Sequence, residues 1–267
     1  MDFAVGASPS TQVVLSRYDA AVFPKFKTVF DEPRSESLIQ FLTQSAEEAE
    51  RAIVLENRAG KDVTALRYFW VMNGGDGKQR KHTVSWDSYM VDVYHPVLGA
   101  GDRKLICLST TVDETLIEHV LRGGGSMGVG VGSDRPSLAG MSSLHFEIDM
   151  LLFSDGEIAG PDSEKFAAEL QSRKPAAEFL AKQIRLAQAE GRDVMPVVSA
   201  LTDMPRLGRP GHAQGDPLVH WTQHYASQYL RAMRHESENF DMREARLRHF
   251  ENRPTLPRFY RRDHDTQ

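Results

Sequence analysis

The chain has 267 residues, of which 40% are hydrophobic and 26% are charged, and its net charge is −5. This length is enough for one large domain or two small ones. The single cysteine excludes an intramolecular disulfide, and with it a disulfide-framed secreted module. No apolar run approaches the roughly 18 residues that a spanning helix needs, and the opening residues lack the basic and apolar regions of a signal peptide. We therefore expect a soluble cytoplasmic protein, with an exported protein that has lost its leader as the alternative.

Charge is distributed unevenly along the chain. Up to Gly160 there are 15 Lys or Arg against 22 Asp or Glu, and beyond it 17 against 15. Neither part has the basic excess of a nucleic-acid-binding protein, so we do not expect nucleic acid as a partner. From Gln228 onward there are nine Arg, no Lys and seven acidic residues. This mixture predicts a solvated helix face, and binding of nucleic acid by the Arg-rich tail is the competing hypothesis.

The first part of the chain is dominated by predicted strands separated by turn-forming residues. Glycine, asparagine and aspartate recur between runs of β-branched and aromatic residues, and several of these turns have the composition of hairpins. The predicted strands cover residues 51–56, 63–72, 79–86, 103–109 and 144–153, with a short last strand after Asp155-Gly156. Short helices are predicted at residues 35–51 and 113–121. Strands with almost no helix between them predict an antiparallel β-sandwich of immunoglobulin-like type.

Three of these turns carry a resemblance to a known family. They are Asn57 to Lys61, the glycine-rich Asn73 to Gly77, and Gly101-Asp102. Over about residues 50–110 the sequence resembles bacterial immunoglobulin-like sandwich domains, including the FxLYD type. The Cys-Trp-Cys pattern of antibody domains is missing, so that subtype is excluded. The resemblance implies a binding or structural accessory module and supplies no catalytic residues.

After Gly160-Pro161 the apolar spacing changes from two to about 3.6 residues, which predicts helices. Asp162 or Ser163 is expected to cap a helix that ends before Pro175, where a second helix starts and runs to Glu190. A third helix is predicted over residues 193–202, and a long one over residues 218–252 with a break near residues 238–241. The predicted fold class is α+β: a sandwich over residues 1–160, a docked all-α region over 161–252, and a flexible Arg-rich tail over 253–267.

The stretch Gly123 to Gly132 matches two catalytic patterns. Gly124, Ser126 and Gly128 fit the nucleophile elbow Gly-x-Ser-x-Gly. Gly123, Gly125 and Gly128 also fit the dinucleotide pattern Gly-x-Gly-x-x-Gly. Both patterns require a strand before and a helix after, and the neighbouring sequence predicts neither. We therefore interpret this stretch as a loop, and Ser126 as the nucleophile of an alternative hydrolase hypothesis. The partners available to such a serine, in chain order, are Asp149, Asp155, His212, His220 and His224.

His220 and His224 are four residues apart, which places both imidazoles on one helical face. Such a pair can share a metal, and Asp216 lies one turn upstream. In a metalloprotease helix a glutamate follows the first histidine, whereas Trp221 stands there in this chain, so the general base is missing. Because a zinc site needs three or four ligands, we expect two structural histidines. A metal held by His220 and His224 is kept as the second form of the hydrolase hypothesis.

Two further features are candidate sites. Cys107 lies in an apolar predicted strand, which indicates a core residue and not a catalytic thiol. Trp86, Tyr89, Tyr94 and His95 lie together in sequence and could form a recognition patch at one end of the sandwich. The alternation of Tyr89 with Val91 and Val93 is equally typical of a strand.

The sequence thus favours a non-enzymatic binding or structural module that acts through contacts with an unknown protein partner, without a cofactor. A hydrolase that uses Ser126, or a metal held by His220 and His224, is the alternative.

Overall fold

The fold is that of a computed structural model, which describes residues 1–30, 46–89, 95–108, 111–114, 117, 138–203, 216–235 and 240–262. The chain forms two compact units. The β unit comprises Met1–Ser88, His95–Pro161 and Tyr260–Gln267, and the helical unit comprises Tyr89–Tyr94 and Asp162–Phe259. Sheets in one unit and helices in the other make the protein α+β, as the sequence predicts.

The β unit contains two sheets. The strands in chain order are β1 Asp2–Val5, β2 Val13–Arg17, β3 Ile53–Asn57, β4 Val63–Gly74, β5 Gln79–Asp87, β6 Arg103–Ile106, β7 Thr111–Asp113, β8 Met141–Phe153 and β9 Ile158–Ala159. The first sheet has the order β1-β8-β4-β5, with β9 also paired to β8, and the second has the order β2-β3-β6-β7. A 3₁₀ helix, Pro24–Val29, and the short helix α1, Ala46–Ala49, lie between strands β2 and β3.

One apolar core lies between the two sheets. Strand β4 contributes alternate residues, among them Leu66, Tyr68 and Trp70, because successive side chains of a strand point to opposite faces. Ile53 and Leu55 of β3 in the second sheet belong to the same cluster, so the inner faces of the two sheets pack against each other.

The second sheet is buried on its outer face as well. Val54, Leu105 and Cys107 face a second cluster, to which the 3₁₀ helix contributes Phe26 and Val29. Cys107 is 1% exposed, and burial raises the pKa of its thiol. A buried thiol that resists ionisation is a poor nucleophile, which agrees with the interpretation of Cys107 as a core residue.

The prediction of a purely antiparallel sandwich is wrong at the N-terminus. Strand β1 pairs in parallel with β8, with Asp2 opposite Ser143 and Val5 opposite Phe146, which makes the first sheet mixed. Strand β9 pairs antiparallel with the other end of β8, where Leu151 faces Ala159. Asp113, the first residue of the predicted helix, is the last residue of strand β7, whereas Glu114 and Ile117 are helical as predicted. Most of that predicted helix lies outside the described residues.

The helical unit contains four helices in its described part. They are α2 Phe166–Ala189, α3 Val194–Thr202, α4 Pro217–His235 and α5 Phe240–Glu251. Asp193, at the predicted start of this helix, caps α3, because its carboxylate accepts a hydrogen bond from the Met195 N–H at 3.0 Å. Buried residues from all four helices form a single core that includes Leu180, Val198 and Tyr225.

The predicted break at Pro175 is wrong, because α2 runs through it without interruption. Proline removes the hydrogen bond to the carbonyl of Gln171. Both Pro175 and Gln171 are exposed, so water can solvate that carbonyl. On the buried side Ala176, Ala177 and Leu180 pack into the helical core, and this burial outweighs the lost bond.

The last described residues, from Tyr260 onward, belong to the β unit and make contacts within it. Tyr260 forms a parallel bridge with Glu157, and its hydroxyl donates to Asp155 Oδ2 at 2.9 Å. Arg262 pairs with Glu157 at 3.0 Å, and Arg261 donates hydrogen bonds to the carbonyls of Gly160 and Pro161. These arginines, which the sequence assigns to a flexible tail, therefore make contacts within the protein.

Candidate functional site

The residues of the predicted recognition patch fall in both units. Trp86 lies on β5, opposite Leu66, and packs partly buried against the core between the sheets. His95 is exposed and belongs to the β unit. Tyr89 belongs to the helical unit, where its carbonyl accepts a hydrogen bond from Arg253 at 3.1 Å. Tyr94 lies outside the described residues, and the patch remains a prediction.

Most residues of the serine-hydrolase hypothesis lie outside the described part of the chain. Ser126, the whole of Gly123 to Gly132 and His212 lie there. Asp155 is described, and its carboxylate accepts hydrogen bonds from Lys61 at 2.7 Å and from Tyr260.

His220 and His224 lie on one face of α4, as their spacing predicts. Their ring centroids are 6.4 Å apart and the rings are nearly parallel, at 25°. His224 Nε2 is 2.8 Å from the side-chain amide nitrogen of Gln228, one turn further along. Trp221 packs edge-on against both imidazoles, with centroid distances of 5.6 Å to His220 and 4.9 Å to His224.

A buried ion pair on α2 lies beside these histidines. Arg173 pairs with Glu169 at 3.3 Å, and both side chains are at most 10% exposed. The guanidinium carbon of Arg173 lies 4.2 Å from the ring centroid of Trp221, which is cation–π geometry. Burial lowers the pKa of His220, and Arg173 lowers it further while Glu169 acts in the opposite direction.

The surroundings of His224 are positively charged. Burial is the main cause of its lowered pKa, and His220 in its protonated form and three arginines, Arg173, Arg253 and Arg231, lower it further. A positive field disfavours a bound cation. Among the described residues, no group of three or more His, Cys, Asp or Glu side chains could hold a metal. The geometry therefore brings the predicted pair together but gives it no further ligand in that part of the chain.

The lowered histidine pKa values make a prediction about acid. Both histidines have an ordinary pKa of about 6.5 when unfolded, and a lower one when folded. As the pH falls below about 6.5, the unfolded chain takes up these protons first, so the folded helical unit loses stability. We expect the midpoint of urea unfolding, followed by helical circular dichroism, to fall between about pH 7.5 and pH 5.5.

Replacing both histidines by glutamine should flatten this pH dependence, whereas His95→Gln at an exposed position of the β unit should leave it unchanged. A double variant with the same slope as the wild type would show that other groups cause the acid sensitivity.

Within the part of the chain that the structure describes, strand β5 has an open edge that the sequence does not reveal. One side of β5 pairs with β4 from Gln79 to Asp87, and no described strand pairs with its other side. The Gly74 N–H donates to the Lys78 carbonyl at 2.7 Å, which marks this pair as hydrogen-bonded. Because hydrogen-bonded and non-bonded pairs alternate in an antiparallel ladder, the N–H and C=O of every second residue from Gln79 onward point away from β4.

The outward-pointing backbone groups are accompanied by exposed side chains. Gln79, Lys81, Thr83 and Ser85, whose backbone groups point outward, are all exposed. Val84 and Trp86, which alternate with these residues near the end of the strand, pack partly buried against the core between the sheets. The polar alternation of residues 79–86 predicts an exposed strand, but not that it is the last strand of its sheet, because that depends on how distant strands pair.

Comparison of the chain with protein families, with curated proteins and with solved structures gives no match. In the described residues no helix is long and apolar enough to cross a membrane.

Proposed function

We propose that this protein is a non-enzymatic binding module that contacts a protein partner by accepting an extended segment of it as an additional strand beside β5. The observation that carries the proposal is that the edge of β5 is open among the described residues, with outward-pointing backbone groups beside exposed side chains. Edge strands with unpaired N–H and C=O groups are templates for another chain, and many binding domains use this mode of recognition.

The length of β5 supports this choice of surface. The outer strands of the two sheets in the described residues are β1, β2, β5 and β7, together with the two-residue β9. Strand β5 has nine residues, whereas β1 has four, β2 five and β7 three. A longer edge offers more backbone hydrogen bonds to an incoming segment, and each contributes about 1 kcal/mol.

We also propose that the β unit is an immunoglobulin-like sandwich, and this part of the proposal has separate support. Two sheets share one apolar core, and the turns at Asn57 to Lys61 and Asn73 to Gly77 join strands of that core. Sandwiches of this architecture occur widely in binding proteins, which agrees with a role without catalysis.

Thr83→Pro is the variant that tests the edge. The Thr83 N–H points away from β4, so proline removes a donor that the sheet does not use. Proline is tolerated on edge strands in this position. We expect Thr83→Pro to keep the wild-type unfolding midpoint and to weaken binding of peptides selected from a random display library by about tenfold or more.

Two substitutions serve as controls. Thr83→Ser keeps the N–H and should bind as the wild type does. Val84→Pro removes an N–H that bonds to β4, so it should lower stability. Selected peptides that bind wild type and Thr83→Pro equally would contradict the proposal, as would a library from which no peptide is enriched.

A further inference from the structure

We infer that the segment accepted by β5 is acidic, a conclusion that rests on the proposed function and names the chemistry of the partner. From Lys78 to Ser85 there are three basic residues and no acidic one, whereas Asp76 in the preceding turn pairs with Lys78 at 3.7 Å and Asp87 ends the strand. The protein as a whole has a net charge of −5, so this edge differs in sign from the rest of the chain.

The basic residues lie on both faces of the sheet at one end of the edge. Lys78 and Arg80 are on the face that carries Val84 and Trp86, because their residue numbers differ from those of Val84 and Trp86 by even numbers. Lys81 is on the opposite face, with its ammonium 3.2 Å from the ring centroid of Phe69. All three basic side chains are exposed. An added strand would therefore meet positive charge on either face at this end.

The other end of the edge is apolar on one face. Val84 and Trp86 are only partly buried against the core, so a strand beside them would cover their exposed parts. Antiparallel pairing is slightly more stable per residue than parallel pairing. The segment that fits has apolar and polar residues alternating in its first half, opposite Val84 and Trp86, and acidic residues in its second half, opposite Lys78 to Lys81.

Charge also argues against a second copy of this chain as the occupant. Antiparallel pairing of two identical edges would place the basic end of each strand opposite the end of the other that contains Val84 to Asp87, where one carboxylate faces three basic side chains. The same charges attract an acidic segment and restrict the register in which it can bind.

The inference can be tested with two synthetic peptides of about eight residues, a common strand length. Both alternate valine and threonine in the first half, and the second half consists of glutamate in one and of glutamine in the other. We expect the glutamate peptide to bind about tenfold more tightly at about 0.1 M salt, because exposed ion pairs each contribute modestly. At about 1 M salt the advantage should fall below about twofold, since screening then acts within about 3 Å.

Matched variants locate the effect. The double variant Arg80→Gln/Lys81→Gln should lose the preference for glutamate, and Lys27→Gln/Lys182→Gln, with the same change of net charge at exposed positions elsewhere, should keep it. Thr83→Pro should weaken binding of both peptides.

The outcomes separate the two proposals. Equal binding of the two peptides, with both weakened by Thr83→Pro, would contradict the acidic partner and leave the edge in use. If neither peptide binds, the proposal of an acidic partner is contradicted. The library selection would then still test whether β5 accepts an added strand. Binding of the glutamate peptide that Thr83→Pro does not weaken would contradict both, because charge alone would then hold the peptide.

Discussion

Replacing Asn57 by alanine is expected to lower the free energy of unfolding of the β unit by about 3 kcal/mol. Asn57 is fully buried at the end of β3, and its side-chain nitrogen lies within 3.2 Å of the carbonyl oxygens of Lys61, Leu98 and Gly99. Its side-chain oxygen accepts a hydrogen bond from the Ala59 N–H at 3.0 Å. Alanine would leave these buried groups without their partner, which costs more than a single exchanged hydrogen bond.

Urea unfolding, together with hydrogen exchange of strand β3, measures this effect. Asn73→Ala is the matched control, because Asn73 is only partly buried and donates to Ser143 at the edge of the core, so a loss below about 1 kcal/mol is expected. At neutral pH Asn57→Asp should be at least as destabilising as Asn57→Ala, since it places a carboxylate against carbonyl oxygens. Equal stabilities of Asn57→Ala and Asn73→Ala would mean that the buried network contributes nothing.

Gly160→Ala is expected to be similarly costly, at about 3 kcal/mol or more. Gly160 has a φ of +100°, and a Cβ atom at this position would lie 2.4 Å from the backbone oxygen of Asp149. Asp149 lies at an irregularity of β8, where the register against β4 shifts between Arg67 and Tyr68. Backbone atoms cannot rotate away as a side chain can, so both the positive φ and the clash must be relieved by moving strand β8 or the segment after β9.

The control for Gly160 is another glycine of the β unit. Gly140 has a φ of +74°, but a Cβ atom there would meet nothing within 4 Å. Gly140→Ala therefore reports the conformational cost alone, about 1 kcal/mol. Thermal unfolding of both variants separates the two contributions. If Gly160→Ala is no less stable than Gly140→Ala, the close approach to Asp149 is not a constraint on this fold.

The sequence predicts the parts of the fold that local chemistry determines. Strands β3, β4, β5, β6 and β8 are found close to their observed bounds because each is bordered by turn-forming residues. The sequence does not predict strands β1 and β2, because a strand of four or five residues can be identified only together with the strand that it pairs with. The partner of β1 is β8, with Asp2 opposite Ser143. No local pattern carries that information.

The candidate sites divide in the same way. The facing of His220 and His224 follows from helical spacing and was predictable. The ion pair beside them and the positive surroundings of His224 depend on helix α2 and on Arg253, which spacing within α4 cannot reveal. The open edge of β5 was invisible for a similar reason, because an edge is defined by which strands pair across the sheet.

The return of the chain to the β unit at Tyr260 has a consequence for proteolysis. The backbone passes from one unit to the other four times, after Ser88, Tyr94, Pro161 and Phe259. Neither unit is therefore a continuous piece of the gene, and no single cut in the chain can yield the two as separate polypeptides. A molecule cut once within residues 204–215 would keep all four helices covalently joined to the β unit. Helices α2 and α3 would remain attached through Pro161, and helices α4 and α5 through Tyr260.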